Sequence, residues 1–226
     1  MRRNSIFTKR WVKGSAVLVA TAATLVFASP QQAIATPLKG VDSATVSQSA
    51  SNVVDIDFAD GIKGRITFLE DGIFRYNVDP KGEFSEYATP RSKSHTAKIQ
   101  AQPDTSDTYS KPSATVVDKG DTIEITGGKA TVILDKATGK MSIKSGDRVV
   151  VSESASLDLD KKGTVQTLAK AKSENFFGGG TQNGRFLHTN QTIAISNTNN
   201  WTDGGVASPN PFYWTSDGYG VLRNTF

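Results

Sequence analysis

The chain has 226 residues, with 26 Lys and Arg against 22 Asp and Glu, two His and no Cys, for a formal net charge of +4. That length allows one large domain or two small ones. The absence of Cys excludes thiol catalysis, zinc–cysteine sites and disulfide frameworks.

The charge is unevenly placed. Arg2, Arg3, Lys9, Arg10 and Lys13 precede the apolar run from Ser15 to Ala28, and the small-residue triplet Ala33-Ile34-Ala35 follows, with Thr36-Pro37 after it. A basic segment, an apolar segment of this length and an A-x-A site read as a secretory signal peptide over residues 1–35. The rival reading is an uncleaved amphiphilic anchor. The leader holds 5 of the 26 basic residues and no acidic ones, which leaves 21 basic against 22 acidic and a net charge of −1. The expected mature chain is secreted and has no membrane span. It carries no basic surface that would attract nucleic acid. Without disulfides its fold must rest on its core, and a chain of this length can supply one.

Residues 36–52 are small and polar and read as a flexible lead-in. From Val53 onward the pattern becomes that of strands. "VVDIDF" (53–58), "GRITFL" (64–69) and "GIFRYNV" (72–78) alternate with period two, and the EDG between the last two signals a hairpin. "ATVV", "DTIEIT", "ATVILD", "KMSIK" and "DRVVVSE" follow between residues 114 and 153. Further candidates are Val165 to Leu168, Thr192 to Ser196, Phe212 to Thr215 and Val221 to Phe226, with one edge strand near Thr96 to Gln100 in the Pro- and Ser-rich stretch before Pro112. Strands at this spacing without an amphipathic helix predict an all-β sandwich or barrel.

Most local motifs have plain explanations. "FFGGGTQNGR" (176–185) holds three consecutive glycines, but lacks the Lys-Ser/Thr and helix of a phosphate loop. It reads as a sharp bend where backbones pack closely. Asp158 and Asp160 lack the further ligands of a calcium loop and fit alternation in an exposed strand. His95 and His188 show no metal-ligand spacing and no triad context, and read as solvated or backbone-paired. Asn190 and Asn200 begin N-x-T triplets, which matter only in a eukaryotic secretory pathway. No metal or cofactor is expected.

The closing stretch, "NNWTDGGVASPNPFYWTSDGYGVLRNTF" (199–226), gathers two of the three Trp residues. Aromatic faces beside an Asn- and Asp-rich loop suit carbohydrate, because sugar rings offer C–H faces for stacking and hydroxyls for hydrogen bonds. For Phe212, Tyr213 and Trp214 the plainer reading is core strand. For Asp203 it is an Asx turn residue.

These residues also carry a resemblance. "NFFGGGTQNGRF", "NNWTDGG" and "NPFYWTSDGYGVLRNTF" resemble the end of the N-terminal domain of glycoside hydrolase family 31, and "ITFLEDGIFRYNVDPKGEF" (66–84) is similar to its early hairpin. The likeness runs from Val53 to Phe226. It implies a galactose-mutarotase-like β-sandwich over 53–226, followed in the family by a (β/α)₈ barrel bearing the two catalytic carboxylates of a retaining mechanism. This chain stops before such a barrel, so it is expected to be a truncated piece, inactive alone and without catalytic residues of its own. The resemblance implies a secreted α-glycosidase or transglycosidase acting on α-linked glucosyl oligosaccharides, whose barrel is an intramolecular partner. It makes Asp203 a substrate contact and Trp201 a stacking residue. The readings kept beside it are a non-catalytic secreted carbohydrate-binding sandwich and a structural β-domain without a sugar site. If the leader reading holds, N-terminal sequencing of exported protein returns Thr36 as the first residue. A start at Met1 would refute it.

Overall fold

The computed structural model describes residues 36–37, 41–84, 109–160, 163–182, 184–196, 201–202 and 205–223. Among them there is no helix, and all strand pairings are antiparallel. The first sheet is a meander of β2 (Val41–Ala50), β3 (Val53–Phe58), β4 (Lys63–Glu70) and β5 (Ile73–Asp79), after a two-residue β1 (Thr36–Pro37). A second meander follows: β6 (Ala114–Asp118), β7 (Thr122–Gly127), β8 (Ala130–Asp135), β9 (Met141–Ser145) and β10 (Arg148–Ser152). β1, β11 (Asp158–Asp160) and β12 (Gly163–Val165) form a small sheet, and β13 (Phe176–Gln182), β14 (Val206–Thr215) and β15 (Gly220–Leu222) form another.

The two meanders make the sandwich. Alternation points Val54, Ile56 and Phe58 of β3, with Ile66 and Phe68 of β4, at Ile123 and Ile125 of β7 and Val132 and Leu134 of β8, and all are buried. Leucine- to phenylalanine-sized side chains each contribute roughly 1.5–3 kcal/mol when fully buried, so this contact between inner faces is the main source of stability. The sheets approach closely at one end. A Cβ on Gly127 would lie 2.3–2.6 Å from Cγ, Cδ1 and Cδ2 of Phe68, so the ring lies directly on the glycine backbone. Beside it, Asp71 of the first sheet's hairpin accepts the Lys129 backbone N–H at 2.7 Å and pairs with its ammonium at 2.7 Å.

Glu153 closes the second sheet's far end. Its carboxylate accepts the Met141 N–H and the Gln166 side-chain amide, each at 2.8 Å. Burial pushes its pKa up despite these bonds.

The all-β sandwich agrees with the sequence reading, and several local expectations change. Val41–Ala50, expected to lie in a flexible lead-in, is strand: small polar residues suffice here because β3 supplies a ladder partner. Thr192 to Ser196 is not strand. The segment leading into it gives β13 one backbone bond, from His188 N–H to Phe176 O at 2.8 Å, and Ile193 rests on Gly179, but no ladder forms. Around Val165 to Leu168 only Val165 is strand, while Leu168 makes an isolated bridge to Glu153. Asp158 lies in a strand as expected, yet it is half-buried, with one carboxylate oxygen enclosed and without a hydrogen-bond partner. The edge strand near Thr96 to Gln100, His95 and the end of the chain past Arg223 lie outside the described residues. Among the described residues, no helix is long and apolar enough to cross a membrane.

Overpacking a filled core costs roughly 1–3 kcal/mol, and each kcal/mol moves the melting point of a domain this size by about 2–4 °C. Gly127→Ala is therefore expected to lower Tm by about 2–12 °C. Adding Phe68→Leu should cost less in the Gly127→Ala background than in the wild type. Differential scanning calorimetry of the four proteins checks this, and strictly additive losses would refute the contact.

Candidate functional site

The β13–β15 sheet carries the site. Its centre is the pairing of the glycine-rich β13 with β14, with Phe176 opposite Thr215, Phe177 opposite Trp214, and Gly180 opposite Pro209. The register shifts between Gly178 and Gly180. Gly178, Gly179 and Gly180 all have positive φ, at 111°, 74° and 77°. A Cβ on Gly180 would lie 2.3 Å from Ser208 O and 2.6 Å from Asn210 N, and one on Gly178 would lie 2.6 Å from Phe212 O. The run is thus a bulged strand whose backbone presses on its neighbour, which explains three glycines without a phosphate. Gln182 secures the bulge by donating its side-chain N–H to Gly179 O at 2.7 Å.

Alternation along β14 splits its aromatics. Tyr213 turns to the inner face, beside Phe176, with ring centroids 6.0 Å apart. Phe212 and Trp214 turn outward and are each 41% exposed. The core reading therefore fails for Phe212 and Trp214, and the half-buried Tyr213 comes nearest to it. Outside, Trp214 stacks on Phe177 at 5.9 Å and on Phe212 at 6.1 Å, and Phe177 touches Phe186 at 5.3 Å. Phe186, Phe212 and Trp214 of this row form one wall of an open cleft of about 560 Å³, completed by Leu222 of β15, Gly178 and Gly180 of β13, Arg185, His188 and Asn210. Phe186 and Leu222 are 74% and 61% exposed.

Two of the cleft's polar side chains make bonds within the domain. Asn210 Oδ1 accepts the Phe212 N–H at 2.9 Å, and Arg185 Nη1 donates to Gln191 Oε1 at 3.2 Å. His188 is buried, so the solvated reading fails for it, and its main-chain N–H donates to Phe176 O. Among the described residues that line the cleft there is no carboxylate. On the inner face, burial raises the Tyr213 and Tyr219 pKa values, and for both the neighbouring Glu174 carboxylate adds to the effect, while Arg223 partly offsets it at Tyr213. Both phenols stay protonated at neutral pH. Among the described residues no three of His, Cys, Asp and Glu gather as a metal cage would require.

The sequence-predicted loop lies immediately before β14. Trp201 is 66% exposed, and Gly205 N–H donates to Thr202 O at 2.9 Å, closing a turn across the loop. Asp203 lies outside the described residues. Trp201 does not line the aromatic cleft. Trp201 and the cleft wall therefore lie on either side of the start of β14. Arg185, Phe186 and Asn210 lie inside the motifs that carry the resemblance, but nothing in those motifs says that they face one cleft.

A β-sandwich with an appended three-stranded sheet and an aromatic-walled cleft defines the class, an all-β antiparallel domain. The chain belongs to glycosyl hydrolase family 31: residues 63–226 match its N-terminal galactose mutarotase-like domain. No curated protein matches the sequence. Among solved structures, the cycloalternan-forming enzyme from Listeria monocytogenes, in complex with pentasaccharide substrate, is 15% identical with a TM-score of 0.63, covering 84% of this chain and 17% of that one. The family 31 α-xylosidase from Xanthomonas citri is 23% identical with a TM-score of 0.57, covering 78% and 18%. An α-xylosidase from a soil metagenome, complexed with xylose, is 15% identical with a TM-score of 0.52, covering 78% and 27%. At these identities the likeness is one of fold. The chain spans about a fifth of the length of the first two enzymes.

Left-handed backbone costs a non-glycine residue roughly 1–2 kcal/mol. Gly72, at φ 85° with nothing within 4 Å of its Cβ position, isolates that cost. Gly180→Ala is expected to lose clearly more than Gly72→Ala, because the backbone atoms of β14 cannot move aside cheaply. Urea midpoints of the two variants check this, and equal losses would show that β13 and β14 can separate freely.

Proposed function

We propose that the chain is the N-terminal β-sandwich of a secreted, retaining family 31 α-glycosidase or transglycosidase acting on α-linked glucosyl oligosaccharides. In this reading the domain lends the Trp201–Asp203 loop to the rim of an active site whose catalytic carboxylates lie on other polypeptide, so the domain alone does not turn over substrate. The observation that carries it is the family match over residues 63–226, a range that includes the loop and all three strands of the aromatic sheet. The pentasaccharide bound by the Listeria enzyme supports an oligosaccharide as the substrate class. The sequence supports the role of Asp203: Thr202 and two glycines flank it, which lets the backbone approach a ligand closely, and a carboxylate can accept hydroxyl protons at both oxygens.

The test uses the longer enzyme. A hydrogen bond to a charged group contributes about 1.5–3 kcal/mol, so Asp203→Ala is expected to lower kcat/KM by roughly 10- to 150-fold while slow turnover persists. Asp203→Asn should lose less, and Trp201→Ala should raise KM. The same preparations are melted. Normal kinetics with a lowered Tm would assign Asp203 to the turn, and turnover of aryl α-glucosides by the isolated domain would overturn the division of labour.

A further inference from the structure

We propose that Glu153 is a proton-operated latch, which on taking up a proton fastens the segment leading from β12 to β13 onto the end of the second sheet. The latch is independent of which sugar the longer enzyme takes and of Asp203.

The geometry is that of a clamp. Residues 152–154 hold residues 167–169 along an irregular edge. Ala169 N–H donates to Ser152 O at 2.7 Å, Ser154 N–H donates to Thr167 O at 2.9 Å, and Glu153 stands opposite Leu168 as an isolated bridge. Glu153 also ties this edge to β9, because its N–H donates to Met141 O at 2.9 Å. The side chain joins the same three pieces from within. One carboxylate oxygen accepts the Met141 N–H and the other accepts the side-chain amide of Gln166, each at 2.8 Å. Gln166 belongs to the segment, and the chain runs on from it to β13.

The carboxylate is poorly placed to stay charged. Glu153 is only 6% exposed. A buried charge needs a counter-charge or a full set of donors, and an ionised carboxylate can accept about four hydrogen bonds. Two donors meet this one. Two titratable groups act on it from neighbouring elements. Lys140, in the turn before β9, favours the ionised form without pairing with it, and the Tyr76 phenol of β5 lies on the other side. Burial raises the Tyr76 pKa and the Glu153 carboxylate adds to it, so the phenol stays protonated. The segment itself has no charged residue from Gly163 to Ala169. For Glu153, burial outweighs both bonds and Lys140, and holds its pKa above the ordinary carboxylate value.

A proton removes the mismatch. Protonated Glu153 keeps an acceptor for the Met141 N–H and gains an O–H donor. Turning the Gln166 amide presents its oxygen to that donor, so the bond to the segment persists between two neutral groups. Because the folded state favours the neutral form, the contribution of Glu153 is fully present below the ordinary glutamate pKa and is lost as pH rises through the raised value. Above that value water reaches the ionised carboxylate most directly by release of the segment, whose Thr167 and Ala169 are already exposed.

The test titrates the 226-residue chain with carbon-13 in its glutamate carboxyls, the Glu153 signal being assigned by correlation to its backbone. The expected midpoint lies above the ordinary value of about 4.3. Hydrogen exchange at the Ala169 amide, corrected for intrinsic rates, is expected to lose protection about fivefold or more between about pH 5 and about pH 8 in the wild type, and less than about twofold in Glu153→Gln. Glutamine reproduces the protonated acid, so the Tm of Glu153→Gln should exceed that of the wild type by at least about 2 °C at about pH 8 and match it at about pH 4. An ordinary or lowered midpoint would overturn the proposal. So would a Glu153→Gln protein less stable than the wild type at about pH 8. A raised midpoint with protection at Ala169 that ignores pH would overturn it too, because the proton would then be bound without moving the segment. If Glu153→Gln does not fold, the wild-type midpoint and the wild-type exchange profile decide between these outcomes.

Discussion

The sandwich depends on Phe68 seated on a backbone without a side chain. Two pleated sheets can bury their inner faces only if their spacing matches the side chains between them, and a phenylalanine needs a complementary gap opposite. Gly127 provides that gap, and the adjacent Asp71–Lys129 contact holds the hairpin ends in line. Ile56, Ile66, Ile123 and Val132 then interdigitate around a register that this end of the molecule sets. The same device recurs within the first sheet, where the Phe58 ring covers Gly64.

In β13 the missing Cβ serves a different purpose. Gly178 and Gly180 let one backbone press on another inside a single sheet, and the bulge they form re-aims the strand. Phe177, Phe212 and Trp214 come out in one row beside the bulge, where the pairing is regular: Phe177 stands opposite Trp214, and Phe212 lies two residues along the same strand. Gly178 and Gly180 line the cleft next to them.

The division between a closed sandwich and an open aromatic sheet matches a division of roles. The two meanders bury their apolar faces against each other, whereas β13–β15 leave one face open. Arg148 ties the parts together by donating to Asp217 O at 2.7 Å, and Arg223 does so by donating to Thr164 O at 3.1 Å. Such charge-assisted bonds to carbonyls orient the sheet without covering its outer face.

The sequence by itself determined the all-β class, most strands of the two meanders, the bend-forming nature of the glycine run and the family. These features are local, since period-two alternation, turn residues and motif spacing are written along the chain. It left β2 unread, because Val41–Ala50 has little apolar alternation and becomes strand only through its partner β3. It overstated Thr192 to Ser196, where alternation is present but no ladder partner is. The sidedness of Phe212, Tyr213 and Trp214 was also beyond it. Alternation says that neighbouring residues face opposite ways, and only the tertiary structure decides which side is covered. The places of Arg185, Phe186 and Asn210 on one cleft wall were also beyond it, because Arg185 and Phe186 follow β13 outside any strand and only the folded chain brings them beside β14.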